Sequence, residues 1–436
     1  MIIPAERVYY LLLLVGVIGF VLAIFANLTV GLFAIIILNL VILGLMILDG
    51  GRVRKKRVIV NRDRLPKLSV GRENLVTLSL KSQNQSSQII LKDDYPSIFW
   101  VSSSTLEMTL SPHTVEEVNY TIFPDQRGEF VWGDIHLRQL GMWQLAWYAW
   151  KVPGKQKVAV YPDLIGLRSL SVQLALNQVG TIHSRRALNQ GTEFRELREY
   201  VSGEDPRLID WKATARFNSP MIRVLETERE QTLIILLDRG RLMTAQVQGL
   251  KRFDWGLNST LSLALAGLNR GDRVGIGVFD REMVTWMPPE RGQTQLFKMI
   301  ERLTPLQPQL LESDYFRAVT QSVTRENRRA LVVLITDLID ATASAELLSA
   351  MKRLTPRYLP FCVALRDPQV DEIAHQQTET LKALYQRGVG LDLLAQRQAA
   401  LSQLQQKGVL VLDAPVNQVS EQLVNRYLQI KARNLL

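Results

Sequence analysis

Cysteine is almost absent. The 436 residues hold one, Cys362, inside the apolar run LPFCVAL. A single thiol closes no internal disulfide and fits a reducing compartment. With no histidine near it in sequence, Cys362 reads as a small buried hydrophobe rather than a nucleophile. Histidine is scarce too: His113, His136, His183 and His375 are scattered, without the spacings of a catalytic zinc site. There is no G-x-x-x-x-G-K-[ST] run, which removes a P-loop nucleotide site, and no G-x-S-x-G nucleophile elbow. Gly275-Ile276-Gly277 lacks a third glycine and lies inside an apolar run, so it reads as close backbone packing.

Charge is missing altogether from Val8 to Leu48. That stretch is too long for one membrane crossing at roughly 20 residues each. The polar break Ala26-Asn27-Leu28-Thr29 predicts two helices, 8–25 and 30–48, joined by a tight turn. The run lacks a convincing small-residue cleavage site and is followed at once by a second, unlike a signal peptide. Arg52, Arg54, Lys55, Lys56 and Arg57 come next, and the positive-inside bias puts them, and both termini, in the cytoplasm. The net charge of +10 admits anionic lipid or nucleic acid as a partner. Because this cluster adjoins a membrane helix, lipid headgroups are the better reading and no nucleic acid is expected. Residues 1–57 are therefore a transmembrane hairpin with a basic flank.

Residues 58–162 change to short runs of period two, such as VTLSLKS, STLEMTLSP and EEVNYTIFP, punctuated by proline and glycine. They predict an antiparallel, immunoglobulin-like β-sandwich. Trp143, Trp147, Tyr148 and Trp150 cluster near its end, where a core or domain-seam role is expected ahead of an exposed patch or interfacial membrane contact. Residues 163–190 read as a polar connector.

The densest stretch is Gly191 to Arg216, GTEFRELREYVSGEDPRLIDWKATAR, with eleven charged residues and Phe194, Leu197, Tyr200, Ile209 and Trp211 threaded between them. That mixture predicts a segment laid on a core, its polar groups cross-paired and Trp211 buried. Asp205-Pro206 reads as a helix start, a capping carboxylate followed by a proline at the first helical position. Lys212 and Arg216 load that helix's C-terminal end. The run resembles the signature of the bacterial family called domain of unknown function fifty-eight. The resemblance implies a binding or signature surface at Gly191, Glu193, Phe194, Arg198, Tyr200, Gly203, Asp205, Arg207, Asp210, Trp211, Lys212 and Arg216. It also implies a β region like the one here, whose usual Asp-Pro-Phe-Gly element is replaced by Gln139-Leu140-Gly141-Met142-Trp143. Members of that family are often associated with MoxR-type AAA+ ATPases, which implies such a partner. Residues 163–230 form the connector that carries this signature.

From 231 to 436 strands and helices alternate strictly. TLIILLD (232–238) is a near-continuous apolar run of the kind buried on both faces of a parallel sheet, and RVGIGVFD, ALVVLITD, LPFCVALR and GVLVLD follow with helices between. The expected fold is α/β, a doubly wound sheet with right-handed crossovers. Asp238, Asp280, Asp337 and Asp413 sit at or just beyond strand ends, where ligands of such sheets gather. The arrangement resembles a von Willebrand factor type A domain, whose adhesion site uses Asp-x-Ser-x-Ser, a threonine and a further aspartate. Here Gly240 and Leu242 replace the serines, while Thr294 and Asp337 match the other two ligands. Magnesium needs six oxygens in tight geometry, and water would have to supply most of them. The expected reading is therefore that these aspartates cap the loops and helices that follow, with Arg239 and Arg241 filling the cation's space. A magnesium site at Asp238, Thr294 and Asp337 is the degenerate alternative.

Two classes of function remain. One is a membrane-anchored interaction module whose sheet edge binds a protein, with no catalytic residue of its own. The other is an enzyme with a site in 191–216, where adjoining Glu204 and Asp205 offer an acid–base pair.

Overall fold

The computed structural model describes residues 1–25, 27–65, 67–83, 86–181, 193–203, 205–226, 231–326, 328–338, 345–376 and 380–433. They divide into two units, Met1–Tyr161 and Pro162–Leu436.

The first unit holds the hairpin and the sandwich. Helix α1 (Glu6–Phe25) and helix α2 (Leu28–Lys55) are both long and apolar enough to cross a membrane. At 1.5 Å per residue, α1 and the apolar part of α2 each span about 30 Å, the thickness of a hydrocarbon core. Small residues let them approach: a Cβ on Gly31 would lie 2.7 Å from the Gly19 carbonyl oxygen and 2.8 Å from the Ala23 Cβ. Leu13, Phe20, Phe33, Ile36 and Leu40 face outward, as a membrane anchor requires. Helix α2 runs beyond the expected end at Leu48, with Arg52, Arg54 and Lys55 in its last turn.

The sequence reading did not foresee strand β1 (Ile2–Pro4). It lies ahead of α1 and is the edge strand of the sandwich. Strands β2 (Ser87–Asp93), β3 (Leu106–Leu110), β4 (Ile135–Leu140) and β5 (Ala146–Val152) complete a sheet of order β1-β5-β4-β2-β3. Ile2 pairs with Tyr148 and Pro4 with Ala146, so a folded strand would be lost if the hairpin were cleaved away. A four-stranded sheet and a three-stranded one close the sandwich over Val76, Leu78, Ile89, Leu91, Ile122 and Trp132. All pairs are antiparallel except the short Leu68–Ser69 strand beside Gln156–Tyr161. One buried ion pair ties the layers. Arg62 binds Asp93 and donates to the Gly154 and Gly133 carbonyls at 2.7 and 3.1 Å, while Tyr120 donates to Asp93 at 2.6 Å. Trp147, Tyr148 and Trp150 lie half-buried on β5, and Trp143 is exposed ahead of it.

The second unit opens with helix α3 (Leu164–Thr181), where only a polar connector was expected. Leu167 and Leu174 join the main core. Strand β6 (Glu193–Glu199) pairs antiparallel with strand β7 (Met221–Glu226), and between them lies helix α4 (Trp211–Phe217). The main sheet follows: β8 (Thr232–Asp238), β9 (Arg273–Phe279), β10 (Met283–Glu290), β11 (Ala330–Thr336), β12 (Leu359–Arg366) and β13 (Leu410–Pro415). Its order is β10-β9-β8-β11-β12-β13, all parallel but for β10 at the edge. Helices α5 (Arg252–Asn269), α6 (Gln293–Leu303) and α11 (Val419–Ala432) pack with α3 on one core. Helices α7 (Tyr315–Arg325), α8 (Ala345–Lys352) and α10 (Leu381–Gln406) pack on the other, and α9 (Pro368–His375) lies beside α10. The doubly wound alternation is as expected; α7 was not.

Candidate functional site

The strand order reverses between β8 and β11, and Asp238, Thr336 and Asp337 stand at the carboxyl ends there. This is the topological switch point, where doubly wound sheets take ligands. In this chain it is filled from within. Asp238 is 1% exposed and accepts four hydrogen bonds: from Gly240 N at 2.8 Å, Ser313 Oγ at 2.5 Å, Thr336 Oγ1 at 2.7 Å and the Tyr315 hydroxyl at 3.2 Å. Burial pushes its pKa up, against the pull of those donors. Burial and the neighbouring Asp238 raise the Tyr315 hydroxyl far above its usual range as well, so it stays a donor.

Asp337 is closed by two guanidinium groups. Arg252 Nη1 lies 2.8 Å from one carboxylate oxygen and Arg397 Nη1 2.8 Å from the other. Arg397 also reaches Asp413 at 2.9 Å. Burial works against its charge, yet the two carboxylates outweigh that and hold its pKa above the ordinary value. The first strand-end neighbour, Asp280, takes Arg239 at 2.7 Å, and Arg241 pairs with Glu312 on the surface. The guanidinium groups in the cation's place are thus Arg252 and Arg397, in place of the expected Arg239 and Arg241.

These residues do not fit a divalent cation. The carboxylates of Asp238 and Asp337 are already saturated. A side chain at Gly240, where the first serine of a metal site would stand, would strike Ser313 Oγ and come within 2.8 Å of the Leu311 carbonyl. Thr294 is a correction of another kind. Strand β10 runs backwards, Glu290 pairing with Val274 at the start of β9, so α6 begins at the amino edge of the sheet. Thr294 is exposed there, across the sheet from Asp238. Among the described residues no group of three or more His, Cys, Asp or Glu side chains is spaced for a metal. Burial pushes the Cys362 thiol up to about 12, which leaves it inert.

The signature forms a small arm built on Asp210. Its carboxylate N-caps α4, accepting from Lys212 N at 3.0 Å and Ala213 N at 3.1 Å, and pairs with Arg223 on β7 at 2.5 Å. The Ala213 amide first, then Arg223, hold its pKa below the usual carboxylate range. Asp205 does start a helix, but only the 3₁₀ turn Pro206–Leu208, accepting from Arg207 N at 3.0 Å. A second start at Asp210 was missed, although Asp-Trp-Lys-Ala is a plain capping sequence. Gly203 has φ +107°, which its missing Cβ permits, and Asn218 ends α4 in the left-handed region at φ +57°. Ile222 and Ala213 form the arm's buried side.

Trp211 is not buried. It is 72% exposed, and Phe217 is 63% exposed on the same short helix. As the first residue of α4, Trp211 points off the arm while Ala213 points in. Lys212, Arg207 and Arg216 are exposed beside it, and Arg198 and Tyr200 are half-buried at the end of β6. Glu193 and Phe194 belong to β6; Gly191 and Glu204 lie outside the described residues. The Glu204–Asp205 acid–base pair therefore has no geometry to judge. Ser313, Tyr315, Thr336, Arg252 and Arg397 were all missed as site residues. Tyr315, Ala318, Val319 and Ser322 are the buried stripe of α7 at helical spacing behind the cap Asp314, the one sequence signal for that helix.

A sheet of this order with an antiparallel edge strand, helices on both faces and acids at the switch point defines an α/β domain like the von Willebrand factor type A domain. Residues 196–384 match the model of the family described as protein of unknown function DUF58. An uncharacterized protein of Mycobacterium tuberculosis (strain ATCC 25618 / H37Rv) is 21% identical over 212 residues, 48% of this chain. The chain spans 66% of the length of that relative. Among solved structures, the SpRpn10 VWA domain is 13% identical, covering 45% of this chain and 94% of its own at a TM-score of 0.30. BatB, a conserved hypothetical protein of Bacteroides thetaiotaomicron, is 12% identical over 47% of this chain and 99% of its own at 0.32.

Proposed function

We propose that this chain is a membrane-anchored protein-interaction module that works through its signature arm. The single observation that carries the reading is the contrast between two surfaces of the second unit. The acids of the switch point are spent on internal partners, whereas α4 presents two large aromatic side chains to solvent on a rigid, doubly capped turn. Exposed aromatics among arginine and lysine are the composition of interface anchors. The sheet's acidic edge, expected to make the contact, then acts as a brace.

The family resemblance points to a MoxR-type AAA+ ATPase as the partner, supplying ATP chemistry for which this chain has no motif. The pair would assemble or remodel membrane-associated complexes. In this reading the anchor is a two-pass hairpin in the bacterial inner membrane with both soluble parts in the cytoplasm, a topology that the basic end of α2 supports. The reading involves no catalytic residue, no cofactor and no nucleic acid. The competing enzyme reading, with a site in 191–216, needs a titratable group held free for chemistry. Asp210, best placed for it, caps a helix and pairs with Arg223 instead.

The test is capture of the detergent-solubilised protein with its partners. Trp211→Ala with Phe217→Ala should lose the AAA+ ATPase while the melting temperature stays unchanged. Retention of the ATPase by the double variant contradicts the assignment of the surface.

A further inference from the structure

The turn Gly141–Gln144 between β4 and β5 is held to the membrane hairpin from two sides. On one side Asp49, fully buried just past the charge-free run of α2, accepts from Trp143 N at 3.2 Å and Leu145 N at 3.1 Å. On the other, Ala5 N, one residue before α1 begins, donates to the Leu145 carbonyl at 3.0 Å. The apolar run of α2 ends at Leu48 and that of α1 begins after Arg7, so both attachments lie where the chain leaves the hydrocarbon. The turn has no room to stand elsewhere. A Cβ on Gly141 would strike the Asp49 carboxylate, and one on Gly50 would come within 2.9 Å of the Ile2 side chain.

At this level the turn presents Met142, 72% exposed, and Trp143, with the Arg52 guanidinium 4.2 Å from its ring centre. Arg54, Lys55, Lys56 and Arg57 follow Arg52 and are exposed, and the acid bound to the turn, Asp49, is itself buried. Tyr9 and Tyr10 are exposed in the first turns of α1, the position of an aromatic belt.

Resting on the reading of the hairpin as a membrane anchor, we infer that Gly141–Gln144 is a lipid-contacting foot of the sandwich. Met142 and Trp143 enter the interfacial layer, and Arg52, Arg54, Lys55 and Lys56 bind the phosphates of anionic phospholipids beside it. An amphipathic ring with a cation stacked on it suits that layer, apolar on one side and charged on the other. Basic residues next to a membrane helix gain from anionic headgroups.

The experiment uses the full chain in lipid nanodiscs, with Cys362→Ser as background and an environment-sensitive fluorophore on Met142→Cys or, as a control, on Ile36→Cys in mid-α2. The expected result is that the probe at 142 is quenched by a spin label near the headgroups, is shielded from aqueous iodide, and shifts to the blue when phosphatidylglycerol replaces part of the phosphatidylcholine. Lys55→Gln with Lys56→Gln should remove that last shift. A probe at 142 open to iodide and indifferent to lipid, with the probe at 36 still quenched by deep labels, overturns the foot and leaves the anchor standing. Iodide access at both positions overturns both.

Discussion

Arg397 Nη1 lies 2.8 Å from Asp337 Oδ1, so a side chain of α10 closes the end of β11 from inside the domain. The same guanidinium spans to half-buried Asp413 on β13, and Arg252 holds the other oxygen of Asp337, so the four charges form one network. A network of this kind does not itself add much stability, but removing Arg397 leaves Asp337 with Arg252 alone and Asp413 with Arg366 alone, each one guanidinium short. Arg397→Ala should cost about 3–5 kcal/mol. Arg397→Met and Arg252→Met with Asp337→Leu and Asp413→Leu, which remove the charges together while Arg366 keeps Asp371, should recover most of that, and urea unfolding of the variants makes the comparison.

The switch point is full, so a divalent cation has nothing to complete. A ligand at one hundred times its Kd stabilises by about 2.7 kcal/mol, a shift that a thermal melt resolves easily. The expected outcome is the same melting temperature in magnesium and in chelator. A rise in magnesium that disappears in Asp337→Asn would mean that the guanidinium groups give way to metal.

Asp238 and Trp211 exchange the importance that their sequence contexts imply. A strand-end aspartate looks like a loop cap, and a tryptophan among alternating apolar residues looks like core. Asp238→Ala instead strands three hydroxyls and an amide, and should cost about 1–3 kcal/mol or more. Trp211→Ala, on an exposed ring, should stay within about 0.5 kcal/mol of the parent. Paired thermal melts decide the order.

What the sequence made legible was whatever depends on local pattern. The hairpin follows from a charge-free run, and the sheet from apolar strands in alternation. What it concealed depends on distance along the chain. Arg397 and Asp337 are sixty positions apart, and nothing local marks an arginine in α10 as the cap of a strand. Ile2–Pro4 is too short to carry a period and becomes a strand only beside Tyr148. Thr294 looked right by type and order, yet the reversal of β10 carries it to the wrong edge. Helix α7 was hidden because its buried stripe mixes Tyr315 and Ser322 with alanine and valine.

The signature arm should loosen in acid. The amide of Ala213, the Arg223 guanidinium and the Lys212 amide all favour ionised Asp210, so its folded pKa lies below the unfolded value. Such a group contributes its stability fully above the unfolded pKa, and loses it as pH falls through the folded one. Amide exchange at Lys212 and Ala213 should therefore be slow near neutrality and quicken below about pH 4, the ordinary aspartate range. In Asp210→Asn it should be fast throughout, with the acid step gone.

The most direct test of the account is a photocrosslinking amino acid placed at Trp211 in the full chain, with a second placement at exposed Phe316 of α7 as control. Illumination in cells should join position 211, and not 316, to an AAA+ ATPase. A clean experiment in which position 211 reaches only solvent or lipid, while the ATPase is present in the same membranes, would contradict the interaction surface proposed for this chain.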